Sequence, residues 1–391
     1  MKRTSSIPLC GFLLGMSLLA SSGMAAQTNS NANANANTNA EAKPKTGCAN
    51  DASNACFFSF DLPGGSGRMH YYASQAPGDA AQGAAPESAL IALHGHPRDA
   101  NLTFNAATKA AQAAARDKDT LILSPLFQVT AAQAKRCSTK GVPATAEGDA
   151  VWTCGSWLAG KSSEGSKPIS AFAALDALLA DVKRQWPSIR SVTLAGFSAG
   201  GQMLQRSVGF AADPPAGVTL RYVIADPGTW LYFDASRPTP VIDQQAVDWT
   251  RCNPSSIASG ACTFQFSPPQ SAQACPAFNA WKYGTQSLPA YLNQSAMQAR
   301  ERYRSAQIEY LEGAKDSDAG DGTHYASLDK SCAANLQGPF RLQRGLAYMA
   351  YEQAVLRPTT ARQMTVVPDC AHNVACVFPS PAARSALFPA R

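Results

Sequence analysis

Short, continuous apolar runs separated by helix-like stretches constrain this chain more than any other feature of its sequence. "ALIALHG" (Ala89 to Gly95), "TLILSP" (Thr120 to Pro125), "SVTLAG" (Ser191 to Gly196) and "LRYVIADPG" (Leu220 to Gly228) have almost no polar face. A strand that is apolar on both faces must be covered on both, which is the condition of a parallel strand flanked by helices. Parallel neighbours need long crossovers, and the chain supplies them: "FNAATKAAQAAARDK", "ISAFAALDALLADVKRQWP", "GGQMLQRSVGFAA" and "GPFRLQRGLAYMAYEQAVL" all read as helices. "MHYYAS" alternates like an early strand, and "AQIEYLEGAKD" and "RQMTVVPD" close the series. The fold class is therefore α/β, a mostly parallel central sheet with helices on both faces.

Two stretches break the rhythm. Residues 127–168 are rich in Gly, Ser and Lys and contain Cys137 and Cys154; residues 229–300 are rich in Pro, Ser, Gln and aromatics and contain Cys252, Cys262 and Cys275. They read as disulfide-pinned insertions over one edge of the sheet. Lys2 and Arg3, the apolar run Ile7 to Ala20 and "SSGMAAQ" read as a leader over residues 1–26. The apolar run is too short for a membrane span, and no lipid anchor is expected. Residues 27–46 alternate Asn and Ala and read as a disordered linker, leaving 47–391 as one domain.

Ten of the eleven cysteines lie beyond the leader, an even number that suits disulfides in a secreted or periplasmic protein. Sequence order suggests Cys48–Cys56, Cys137–Cys154 and Cys370–Cys376 as local loops. The formal net charge of +6 comes from residues spread along the chain, without a dense basic block, so nucleic acid is not an expected partner.

The chemistry-bearing motif is "LAGFSAGGQML", in which Gly196, Ser198 and Gly200 fit G-x-S-x-G between a strand and a helix. A P-loop would need a Lys-Ser/Thr pair after its glycines, and a dinucleotide fingerprint would need glycine at position 198. Neither condition is met, and no cofactor is expected. A serine nucleophile needs a base, and five histidines are available. His372, after the last apolar strand, is preferred; His324 in the acidic loop "DSDAGDGTHYASLDKS" competes with it, and His70 reads as structural. Asp316 is the preferred acid, with Asp318, Asp321 and Asp226 as alternatives. Backbone N–H groups of Ala199 and His96 are the candidate oxyanion donors, because Pro97 has none. His94 and His96 could be mistaken for zinc ligands, but no supporting carboxylate is evident, and no metal is expected.

"HGHP" after a buried strand, "GFSAGG" at a strand-to-helix turn, "GAKD" after a later strand and "CAH" after the last one resemble the α/β-hydrolase superfamily over about residues 88–375. The doubled glycine after the serine is similar to secreted esterases of the polyhydroxyalkanoate-depolymerase and feruloyl-esterase kind. The resemblance implies an α/β-hydrolase fold, a Ser198, Asp316, His372 triad, and oxyanion donors at His96 and Ala199. The "HGHP" loop departs from the run of glycines that many such esterases carry. The expected activity is hydrolysis of a small-molecule or polymeric ester through an acyl-enzyme, with a peptidase, an amidase or a binding protein on the same scaffold as alternatives. Trp230, just past a strand end, is the expected substrate-binding aromatic. The rate is expected to rise with pH through a histidine pKa near roughly 6 to 7.

Overall fold

The computed structural model describes residues 45–78, 85–270 and 272–390. The expected leader lies outside these residues, as does the expected linker except for its last two positions. Among the described residues, no helix is long and apolar enough to cross a membrane.

Eight strands form one sheet: β1 Phe57–Asp61, β2 Arg68–Ala73, β3 Ser88–Leu93, β4 Thr120–Leu126, β5 Ser191–Phe197, β6 Thr219–Ala225, β7 Ile308–Gly313 and β8 Arg362–Val367. Their spatial order is β1-β2-β4-β3-β5-β6-β7-β8. β2 runs antiparallel to both β1 and β4, and every pairing from β4 to β8 is parallel. Every residue of β4 is buried, which is why its sequence shows no polar face. The edge strand β1 alternates buried and exposed residues towards its end.

The crossovers are α1 Ala100–Ala113, α2 Ala171–Gln185, α3 Ala199–Ser207, α4 Ala296–Ser305 and α5 Arg341–Tyr351. Ser170 caps α2 by accepting the Ala173 N–H at 3.0 Å, and Ser295 with Gln298 forms a capping box on α4. Where each crossover meets its strand, the chain turns over the carboxyl edge of the sheet, the place where open α/β sheets form their crevices.

The two stretches read as insertions are more ordered than their composition suggests. In the first, Gln128–Val129 pairs with Val151–Trp152, and Cys137–Cys154 closes the loop between them. The second contains a three-stranded sheet of Arg237–Ile242, Gln245–Ala246 and Thr263–Ser267, with Cys252–Cys262 spanning its connection. Cys275–Cys332 ties this insertion to the short helix Cys332–Asn335 beyond β7. Cys48–Cys56 and Cys370–Cys376 complete five disulfides. The three local pairs expected from sequence order are among them. Trp281 Nε1–H and the Tyr291 hydroxyl of the second insertion both donate to Ala159 O of the first, at 3.1 and 3.0 Å, so the insertions brace each other.

The bridges differ in the length of chain they close. Cys275–Cys332 spans 57 residues and Cys252–Cys262 spans 10. On a loop-entropy scale the first stabilises by about 4 kcal/mol and the second by about 3 kcal/mol. Replacing Cys275 and Cys332 by alanine should therefore lower the denaturation midpoint further than replacing Cys252 and Cys262. Equal midpoints for the two double variants would contradict that ordering.

Candidate active site

The site starts from a steric problem at the end of β5. Ser198 adopts φ 57° and ψ −115°, a left-handed conformation that a serine rarely takes. Its N–H donates to Ala225 O of β6 at 2.9 Å, which fixes the turn against the neighbouring strand. A Cβ on Gly196 would lie 2.3 Å from Gly200 O, and one on Gly200 would lie 2.5 Å from Leu93 O. A Cβ on Gly201 would lie 2.6 Å from Ala225 O. Gly201, the last glycine of "GFSAGG", is therefore required by the approach of α3 to the end of β6.

With the serine lifted above the sheet edge, residues beyond β7 and β8 reach it. His372 Nε2 accepts the Ser198 Oγ–H at 2.7 Å, and Asp316 Oδ2 accepts the His372 Nδ1–H at 2.7 Å. A carboxylate can only accept, so Asp316 selects the tautomer that leaves Nε2 free to take the serine proton. The loops carrying the two residues are joined: Lys315 N–H donates to Cys370 O at 2.8 Å, and His372 N–H to Gly322 O at 3.1 Å. Cys370–Cys376 brackets the histidine, and Phe197 packs its ring 4.9 Å from the imidazole.

Arg341, at the start of α5, was not anticipated from the sequence. Its Nη1–H donates to Asp316 Oδ1 at 3.1 Å and to Thr323 O at 2.7 Å. Both oxygens of Asp316 therefore have partners in a site where Asp316 is 1 % exposed and His372 is 7 % exposed. Burial, partly opposed by the bond to Asp316 and reinforced by the Arg341 charge, pushes His372 down to about 4. This corrects the expected value of roughly 6 to 7, which assumed a solvated imidazole.

Behind Asp316 lie two more buried acids. Asp226 Oδ1, at the end of β6, accepts the Gly313 N–H at 2.7 Å. Burial and the neighbouring Asp316 charge raise Asp226 to about 8, and Glu312 is raised well above the usual carboxylate range by burial and its acidic neighbours. Both carboxyls are thus raised, and Asp316 is the acid of the three that contacts His372. Asp226, Asp316 and His372 bring ligand atoms within 4.8 Å of one another. The donor set does not suit a cation, because Asp316 already holds His372 and Arg341 and burial beside Asp316 raises the Asp226 carboxyl.

The other residues singled out from sequence lie elsewhere. Asp318 is exposed and accepts the Gly320 N–H at 2.7 Å, and Asp321 is exposed. His324 is exposed with its ring 6.0 Å from that of His372, so it flanks the histidine rather than the serine. His94 is fully buried; its Nδ1–H donates to Gly95 O, and its Nε2 accepts the Phe127 N–H at 3.2 Å. His70 Nε2 lies 2.8 Å from Asp149 Oδ1. Among the described residues, the His96 and Ala199 N–H groups donate to no protein acceptor, whereas the Gly95 N–H is taken by Asp99 Oδ1. Both residues line the cavity that holds Ser198.

Trp230 does not line that cavity, which corrects the expectation that it contacts substrate. It is fully buried, stacked on Tyr348 at 4.4 Å, with its backbone held by Gln337 at 2.8 Å on both sides. The chain past β6 turns inward and carries this indole into the core. The cavity itself, about 790 Å³, is lined by Gln202, Gly228, Lys282 and Asp329 among others, with Leu102 and Val374 as apolar contributors.

No protein-family model matches the chain, and no curated protein matches it in sequence. Solved structures do resemble it. The poly(3-hydroxybutyrate) depolymerase LpqC from Bordetella parapertussis superposes with a TM-score of 0.51 at 16 % identity, over 86 % of this chain and 88 % of that one. Poly(aspartic acid) hydrolase-1 from Sphingomonas sp. KT-1 gives 0.50 at 18 % identity, over 85 % and 97 %. Identities this low speak to architecture, and with the sheet order and the turn at Ser198 they identify the chain as having the α/β-hydrolase fold.

Proposed function

We propose that this chain is an exported serine hydrolase that cleaves carboxylic esters through an acyl-enzyme. The observation that carries the reading is the unbroken hydrogen-bonded line from Ser198 Oγ through His372 to Asp316, opening into a cavity of about 790 Å³. Five disulfides support the export component, since reducing compartments rarely keep them.

In this reading Ser198 Oγ attacks the ester carbonyl carbon while its proton passes to His372 Nε2. The carbonyl electron pair moves to oxygen, where the N–H groups of Ala199 and His96 receive the negative charge. Collapse breaks the bond to the leaving oxygen, which takes the proton from Nε2 and departs as an alcohol. Water then repeats the sequence on the acyl-serine, releasing the carboxylic acid and restoring the serine. Asp316 stabilises the imidazolium that forms in each half, and Arg341 holds Asp316 in place.

Ser198→Ala should lower kcat on a p-nitrophenyl ester by at least roughly 10³-fold, and Asp316→Asn by a similar order, with both proteins folded by circular dichroism. Wild-type turnover by folded Ser198→Ala would refute the assignment. Because only neutral His372 can accept the serine proton, kcat/KM should rise as pH increases through about 4. Arg341→Met removes a like charge from beside the imidazole, so the midpoint of that acid limb should move to higher pH. A midpoint that stays in place or falls would show that Arg341 does not tune the base.

A further inference from the structure

The Gln202–Lys282 wall of the cavity carries more positive charge than its surroundings neutralise. Lys282 lines the cavity with its side chain 29 % exposed. Its ammonium lies 5.4 Å from the Tyr283 ring and 3.6 Å from Asp329 Oδ2, outside hydrogen-bond distance. Asp329 has other partners: Oδ2 accepts the Tyr283 hydroxyl at 2.6 Å and Oδ1 the Ser331 N–H at 3.0 Å. Lys282 therefore shares its ion-pair partner, Asp329, with the Tyr283 hydroxyl and the Ser331 N–H.

Two further cations stand directly behind this wall. Arg206 is fully buried and donates to Leu158 O at 2.9 Å, Gln202 Oε1 at 2.9 Å and Thr229 Oγ1 at 2.7 Å, all neutral acceptors. Arg344 is fully buried and donates to Gly338 O at 2.8 Å, Asp329 O at 3.0 Å and Gly228 O, again all neutral carbonyls. Among the described residues, Asp329 is the one carboxylate ion-paired with any of these three cations. Both guanidiniums contact residues that line the cavity, Gln202 for Arg206 and Gly228 and Asp329 for Arg344, so their charge acts on it at short range. Burial and the Arg206 charge lower Lys282 to about 8, so it still carries its proton at neutral pH.

We infer that this wall receives a carboxylate borne by the substrate, and that Lys282 is the residue that selects anionic esters over neutral ones. The inference rests on the serine-hydrolase reading and adds to it the chemical class of substrate. The same carboxylate could sit on the acyl side or on the leaving-alcohol side of the scissile bond, and two pairs of esters separate these sources. Mono-p-nitrophenyl glutarate against p-nitrophenyl pentanoate places the charge on the acyl side. Para-acetoxybenzoate against para-tolyl acetate places it on the leaving group.

The measured quantity is the ratio of kcat/KM for the anionic ester to that for its neutral partner, taken within one preparation so that partial unfolding cancels. In at least one pair, Lys282→Met should lower the wild-type ratio roughly tenfold to a hundredfold, the range of a lost charge-assisted hydrogen bond. Lys282→Arg should keep most of the ratio, and the wild-type ratio should fall as pH passes about 8. A ratio unmoved by Lys282→Met in both pairs overturns the inference while leaving the hydrolase reading intact. A wild-type protein that cleaves none of the four esters, or a Ser198→Ala variant that cleaves them equally well, overturns the hydrolase reading and the inference with it.

Discussion

The approach of the α3 backbone to the ends of β3, β5 and β6 is the constraint on which the rest of this structure depends. Three glycines, Gly196, Gly200 and Gly201, stand where any side chain would overlap a neighbouring backbone atom. Their absence of bulk lets the first turn of α3 press against Leu93 O and Ala225 O, and the serine between them is forced to φ 57°. The strained turn lifts Oγ clear of the sheet, to the level reached by loops from β7 and β8. A methyl group at any of the three glycines would force the α3 backbone away from β3, β5 or β6.

Much of this was legible in the chain because the physics is local. Continuous apolar runs require burial on both faces, and seven of the eight sheet strands announce themselves that way or by alternation. The glycine spacing around Ser198 reports a steric requirement within six residues, and the acid and base follow strand ends. β1 was not read as a strand because "FFSFD" is too short to separate from loop by pattern alone. The small sheet of the second insertion was hidden by Pro238 and Pro240, which argue against a strand inside Arg237–Ile242. Ala296–Ser305, polar on most of its surface, straddles the end of the expected insertion at residues 229–300.

Residues that act through distant partners left no signal. Arg341 meets Asp316 across 25 positions and Lys282 faces Asp329 across the cavity wall, and neither spacing has a period. Trp230 was misplaced for a related reason. A residue just past a strand end can turn toward the crevice or back beneath it. The choice was made by Tyr348 and Gln337, more than 100 positions away.

The raised carboxyl of Asp226 behind Asp316 bears on the stability of the whole chain. An unfolded aspartate near its ordinary value has lost its proton at neutral pH, whereas Asp226 keeps one up to about 8. Stability contributed by that proton is full below the ordinary carboxylate range and drains away as pH rises through about 8. His372, held near 4, has the opposite slope, losing stability as pH falls from the ordinary histidine value toward 4. The edge of the sheet that hosts the chemistry is thus taxed from both directions of pH. The disulfide-braced insertions contribute Thr139, Leu158 and Lys282 to the cavity at that edge.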